Sequence, residues 1–329
     1  MKFSKCTLTA ITLSLGMASG LAIADPAYTF TVGYHAADDA VIAKGLYKFA
    51  DDVFKKSDGK IKINVSTGGA LGGQREIIES VNLGALEMAI GECGLYANYI
   101  SAMGMVVLPF MFESAEDFYK AMDGKVGKRF EELMYENTNM QIIAWVDGGG
   151  VRDVYSVKPL KSLADLKGLK IRTPESPAFV AMFKAFGANP TAISAPEMYT
   201  SLQQGVVDAM EGTAETAVTY GITDLAKTCL QTHHIYNESS LVINKDIFNE
   251  LPDDLKKVML DCAADMETYE RNLNTQMVED FKKTIVDAGI EMIPVDLDEA
   301  KKLVAPVYEE FIAGDPLKQE VYNLLREPR

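Results

Sequence analysis

Histidine is close to absent. The chain has three, His35, His233 and His234, with four cysteines in 329 residues. So few nitrogen and sulfur ligands leave little from which to build a metal centre. Cys6, Cys93, Cys229 and Cys262 stand far apart, which gives neither a zinc motif nor a disulfide framework. Cys93, Cys229 and Cys262 read as buried thiols, with one bridge among them left open. There is no G-x-S-x-G, no G-x-x-x-x-G-K-[ST], and no G-x-G-x-x-G after a strand. Positive charge is also short: the net charge is −15. Such a surface repels phosphate backbones and excludes nucleic acid as an expected partner. No repeat, low-complexity run or Ser/Gly linker interrupts the chain, and no segment past residue 24 is apolar enough to span a bilayer.

What is present begins with a leader. Lys2 and Lys5 precede an apolar stretch from Leu8 to Leu21, and Ala22-Ile23-Ala24 closes it with small residues. That pattern is a secretory signal peptide over residues 1–24, so a soluble, exported, periplasmic protein is expected from Asp25. About 300 residues remain, more than one hydrophobic core usually serves, which predicts two domains.

Strand and helix periods then alternate. Tyr28–Tyr34 and Ile61–Val65 alternate with period two, and Ile42, Leu46, Phe49 and Val53 between them recur at helical spacing. Short apolar runs at Met88–Ile90, Met105–Leu108, Gln141–Val146, Val154–Val157, Leu169–Ile171, Val207–Met210 and Leu241–Ile243 read as further strands. Helices are predicted over Gln74–Leu83, Ala115–Met122, Val126–Asn137, Ala178–Phe186, Pro196–Gln204 and Thr213–Tyr220. The fold class is therefore α/β with mostly parallel sheets. One segment breaks the rhythm. Between Pro252 and Gly289 there is no Gly or Pro, and Leu255, Met259, Cys262, Met266, Tyr269, Leu273 and Met277 recur at steps of three and four. A helix of that length, roughly 50 Å, is suited to bracing two lobes.

Two arginines stand where sheet crevices open. Arg152 follows the loop after Trp145, and Arg172 ends the Leu169–Ile171 strand just before Pro174 and Pro177. A guanidinium fork matches a carboxylate, and stiff backbone holds it ready. His35 ends the first strand, at the carboxyl edge where open α/β sheets hold ligands. Adjacent His233 and His234 would point to opposite faces of a strand, which makes a metal pair improbable. Gly68–Gln74 reads as a turn and helix start. Glu211 and Glu215, near a helix start, suit polar ligand contacts better than catalysis, because no nucleophile accompanies them.

The stretches Gly72-Gly-Gln-Arg-Glu76, Leu108-Pro-Phe-Met-Phe112, Leu163–Arg172, Phe186-Gly-Ala-Asn-Pro190, Glu197–Gln203 and Gly205-Val-Val-Asp208 occur in an order that resembles the DctP family. These are the substrate-binding proteins of tripartite ATP-independent periplasmic (TRAP) transporters, and the likeness covers nearly the whole exported chain. The resemblance implies two α/β lobes that close like a clamshell, crossed by a long helix. It implies lobe I at 25–148 plus 239–279, lobe II at 149–238 plus 280–329, and a ligand cleft between them. It also implies a substrate carboxylate paired with Arg172, and contacts from Arg152, Glu92, Glu211, Gly212, Thr213, His35, Gln74, Trp145 and Tyr199. At Gly212 this chain departs from the asparagine common in the family.

The resulting expectation is a monomeric periplasmic receptor, not an enzyme, with no cofactor or metal. It would deliver a small organic anion to TRAP permease subunits. With Arg152 and Arg172 facing Glu92 and Glu211, a monoanionic, hydroxyl-rich ligand such as a sugar acid is expected over a dicarboxylate. An amine-bearing acid or a small phosphate or sulfonate stands behind it. An exported enzyme or a sensor-linked receptor is the alternative class.

Overall fold

The computed structural model describes residues 25–327, so the expected leader lies outside the described residues. Strands β1 (Tyr28–Gly33), β2 (Ile61–Ser66), β3 (Met88–Gly91) and β4 (Met140–Val146) form most of a first sheet, together with helices α1 (Val41–Lys56), α2 (Gln74–Asn82), α3 (Cys93–Tyr96), α4 (Ala115–Met122) and α5 (Lys125–Asn137). The second sheet takes β5 (Val151–Ser156), β6 (Lys170–Thr173), β7 (Asn189–Ala192), β8 (Ala209–Thr213) and β9 (Thr228–Tyr236), with α6 (Pro177–Ala185), α7 (Met198–Gln203) and α8 (Ala214–Thr219). The chain returns to the first sheet as β10 (Ser239–Asn244), then runs through α9 (Lys245–Glu250), α10 (Asp253–Asp287), β11 (Glu291–Pro294), α11 (Leu297–Ile312) and α12 (Pro316–Arg326).

The sheets run β2-β1-β3-β10-β4 and β11-β9-β5-β8-β6-β7. Each is parallel except for one reversed strand, β10 in the first and β5 in the second. The reversed strand is in each case the one that has just crossed from the other sheet. β4 runs into β5 through residues 147–150, and β9 into β10 through 237–238. Val146 lies opposite Ser239, and Val151 opposite Tyr236, so the two crossings lie side by side as one antiparallel ribbon. The Asn237 N–H donates to Gly150 O (2.9 Å) at its middle. Gly149 and Gly150 have φ of 87° and 79°, a left-handed turn that glycine makes without steric cost.

α10 is one continuous helix of 35 residues, about 52 Å long. Leu255, Met259, Cys262 and Met266 pack with the first sheet's core, while Leu273, Met277, Phe281 and Ile285 pack with the second's. The helix therefore changes partners between Met266 and Leu273, upstream of Glu279.

Three local expectations need correction. Met105–Leu108 is not a strand: a 3₁₀ turn (Ser101–Met105) runs into it, and irregular backbone carries the chain on to Leu108. An apolar run buried on all sides has no period to distinguish a strand from such a turn. β8 extends through Glu211 and Gly212 to Thr213. Lastly, α12 does not sit with the second lobe. It packs on α5 and the 3₁₀ turn of the first, tied by Arg129–Glu320 (2.7 Å) and Ser101–Asp315 (2.6 Å). The turn at Gly314-Asp315-Pro316 reverses the chain after α11 and sends it across. Cys93, Cys229 and Cys262 are buried free thiols. No helix among the described residues is long and apolar enough to cross a membrane.

Candidate functional site

A crevice with converging polar groups lies between the two sheets, beside the crossings. Arg172 reaches it from β6, Arg152 from β5, Glu92 from the turn after β3, and His35 and Gln74 from the loop after β1 and the start of α2. The lobes touch across its mouth. Arg75 pairs with Glu175 (3.2 Å), and the Tyr220 hydroxyl donates to His35 O (3.1 Å).

Arg172 is 4% exposed. Its Nε donates to Ile193 O (2.7 Å), which fixes the plane of the guanidinium. β6 pairs with β7 and β8 on either side, placing Arg172 opposite Thr191 and Met210, and Pro174 follows the strand at once. No carboxylate lies within 4.0 Å of it among the described residues. Burial presses its pKa below the ordinary arginine range. Glu211 opposes this and Arg152 adds to it. An arginine nonetheless keeps its proton at neutral pH. The result is a desolvated cation, oriented and lacking a counter-ion.

Arg152 is held differently. Its Nε and one terminal nitrogen donate to the two Glu211 oxygens, both at 2.7 Å, and the other reaches Asn237 Oδ1. Glu92 lies 3.6 Å away and the Phe179 ring 5.0 Å. Burial alone would push the Glu211 carboxyl up, but Arg152 and a hydrogen bond from buried His234 (3.2 Å) hold it at about 2. The Arg152–Glu211 pair is thus close to neutral, and its fork is already filled.

Burial also shifts the other titratable groups of the site. Burial raises the Glu92 carboxyl, with Arg152 opposing. Burial, then the charges of Arg172 and Arg152, hold His35 at about 3. Its neutral ring lies 3.4 Å from Gln74 Nε2 and stacks near Tyr220. A neutral imidazole and an amide each offer both donor and acceptor to a ligand hydroxyl. Among the described residues no cluster of His, Cys, Asp or Glu has the makings of a metal site.

Of the ten residues singled out in the sequence, Arg172, Arg152, Glu92, His35 and Gln74 line this crevice. The other five do not. Glu211 lies behind Arg152, fully buried, and pairs with that arginine instead of facing the cleft. Gly212 is enclosed in β8, and Thr213 caps α8 by accepting from Thr216 N (3.1 Å). Trp145 turns into the first lobe, where its Nε1 donates to Glu131 (3.1 Å) beside Phe130. Tyr199, on α7, packs near Gly221. Sequence reasoning missed Asn237, Tyr34, Tyr220 and the role of His234. It considered Glu215 but did not place it in the site. Asn237, Tyr220 and His234 come to the site from distant segments, with no local motif to mark them.

Residues 32–315 match the family described as bacterial extracellular solute-binding protein, family 7 (DctP). The chain is 32% identical over 255 residues to the 2,3-diketo-L-gulonate-binding periplasmic protein YiaO of Escherichia coli K12, covering 76% of each. It superposes on a TRAP periplasmic solute-binding protein from Sulfitobacter sp. NAS-14.1 with bound β-D-galacturonate (TM-score 0.87, 27% identity, 91% of this chain and 99% of that one). A Roseobacter denitrificans protein of the same kind, with bound β-D-glucuronate, fits equally well (TM-score 0.87, 27% identity, 92% and 100%). The two-sheet architecture, the crossing helix and these matches agree: the chain belongs to the DctP family and is a periplasmic solute receptor of the TRAP type, a binding protein and not an enzyme.

Proposed function

We propose that the receptor captures a monoanionic, hydroxyl-rich organic acid, a sugar acid, and delivers it to TRAP permease subunits. One observation carries this reading. Arg172 is buried and oriented without a counter-ion, whereas Arg152 is already paired with Glu211. One uncompensated cation calls for one anionic group. A second ligand carboxylate would find no second free cation, because Arg152 is already filled by Glu211, and an unpaired charge in a site of low dielectric is costly. Hydroxyl groups would find acceptors at Glu92 and mixed partners at His35 and Gln74. β-D-Galacturonate and β-D-glucuronate, bound by the Sulfitobacter and Roseobacter proteins, are of this class. An amine-bearing acid fits less well, since its ammonium would be desolvated in a crevice lined by both Arg152 and Arg172. A phosphate or sulfonate would leave the hydroxyl partners idle.

A thermal-shift panel of uronates, aldonates, C4-dicarboxylates and amino acids tests it. Ligand that binds only the folded state raises the melting temperature by mass action. Stabilisation by one or more sugar acids is expected. Stabilisation by succinate or malate alone would overturn the reading.

A further inference from the structure

Helix α1 begins without a cap of its own. Ala40 at its N-cap has no oxygen to offer, and its first turn holds no acidic residue. The first free donor, the Val41 N–H, instead donates to Glu215 Oε1 (2.5 Å), from α8 on the opposite side of the crevice. Glu215 is 4% exposed and lines the crevice with Thr216 and Thr219. Its own position is fixed from two sides. Thr213 caps α8, and at Gly149 an added Cβ would come within 2.7 Å of the Glu215 Cβ.

We infer that Glu215 is a closure latch, a positioning residue that caps α1 from the other lobe and so couples lobe contact to the completion of that helix. The inference rests on the reading of the protein as a receptor that closes. The physical reason is the helix terminus. Unpaired N–H groups and the positive end of the dipole seek an oxygen. When the lobes part, Val41 loses that partner and Glu215 is exposed to solvent. Either protonation state of the carboxyl retains an acceptor oxygen.

The surroundings add a pH signature. Tyr34, Asp39, Lys44, Tyr220, Asp147 and Glu270 lie near enough to this carboxyl to act on it electrostatically. Burial lifts it to about 7, with Asp147 and Asp39 adding and the Val41 N–H and Lys44 opposing. A solvated glutamate titrates near 4.3. Closure therefore takes up a proton between those values, and the affinity it contributes is lost as pH rises through about 7.

The test compares wild type with Glu215→Ala and Glu215→Gln. D-Galacturonate is the probe, with calorimetry and stopped-flow release at pH 5.5, 7 and 8.5. Glu215→Ala should weaken binding about three- to thirtyfold, the range of a lost cap, mainly through faster release. Glu215→Gln, whose amide oxygen still accepts from Val41, should restore affinity to within about threefold at pH 8.5 and flatten the pH dependence. Alanine without effect, or glutamine as damaging as alanine, would overturn the latch. If wild type fails to bind D-galacturonate, that failure counts against the ligand reading, and amide exchange at Val41 then decides the latch. Faster exchange in Glu215→Ala than in wild type supports it, and equal exchange overturns it.

Discussion

An arginine buried without a counter-ion is expensive, and a protein that keeps one has a use for it. On the proposed reading, a ligand carboxylate offsets that cost at Arg172. Arg172→Ala should therefore leave the fold intact and weaken ligand binding by about 2–5 kcal/mol. Arg172→Lys should bind nearly as poorly, because an ammonium cannot hold Ile193 O and present a planar fork at once. Calorimetry with a sugar acid measures both, and near wild-type affinity in either would remove Arg172 from its role. This residue was legible in the sequence because its signal is local: a short strand, a charged end and two prolines. The resemblance to the family then supplied its meaning. Glu211 was legible as a site residue but not in its place, since nothing local shows that β8 runs on through it and turns it towards Arg152. His234 and Asn237 carried no signal, because their roles exist only once β9 and β5 are paired.

At the scale of elements, the long helix does more than brace. β4 is the edge strand of the first sheet, and the outward N–H groups of its end and of the crossing that follows need partners. α10 supplies them. Glu267 accepts from Trp145 N, Glu270 from Asp147 N (3.2 Å) and Asn274 from Gly149 N (3.0 Å). Helical steps of three and four thus match strand steps of two. Asn274 also donates to Asp147 Oδ2 (3.0 Å), which accepts from the Tyr119 hydroxyl as well (3.0 Å). Asn274→Ala would strand a buried donor and deprive a buried carboxyl of a partner. It should cost about 1–3 kcal/mol, read from urea unfolding. A loss below about 0.5 kcal/mol would mean that the crossing does not depend on the helix. The helix itself was plain in the sequence from its period and its freedom from Gly and Pro. The partner change between Met266 and Leu273 was not, because an unbroken helix carries no mark where its neighbours change.

For the whole molecule, the two sheets are joined by residues 147–150, by residues 237–238 and by α10, while α12 reaches back to the first lobe. We propose that the lobes move about these crossings. Saturating sugar acid should then lower the radius of gyration in solution scattering, and an unchanged value would argue for a rigid cleft. Among the described residues that line the crevice, Arg172 is the cation without a counter-ion, which calls for one anionic group on the ligand. Calorimetry of D-galactonate against galactarate tests it most directly, because the two differ only in whether the far carbon is an alcohol or a second carboxylate. The aldonate should bind at least tenfold more tightly than the dianion. Equal or tighter binding of galactarate would contradict the claim.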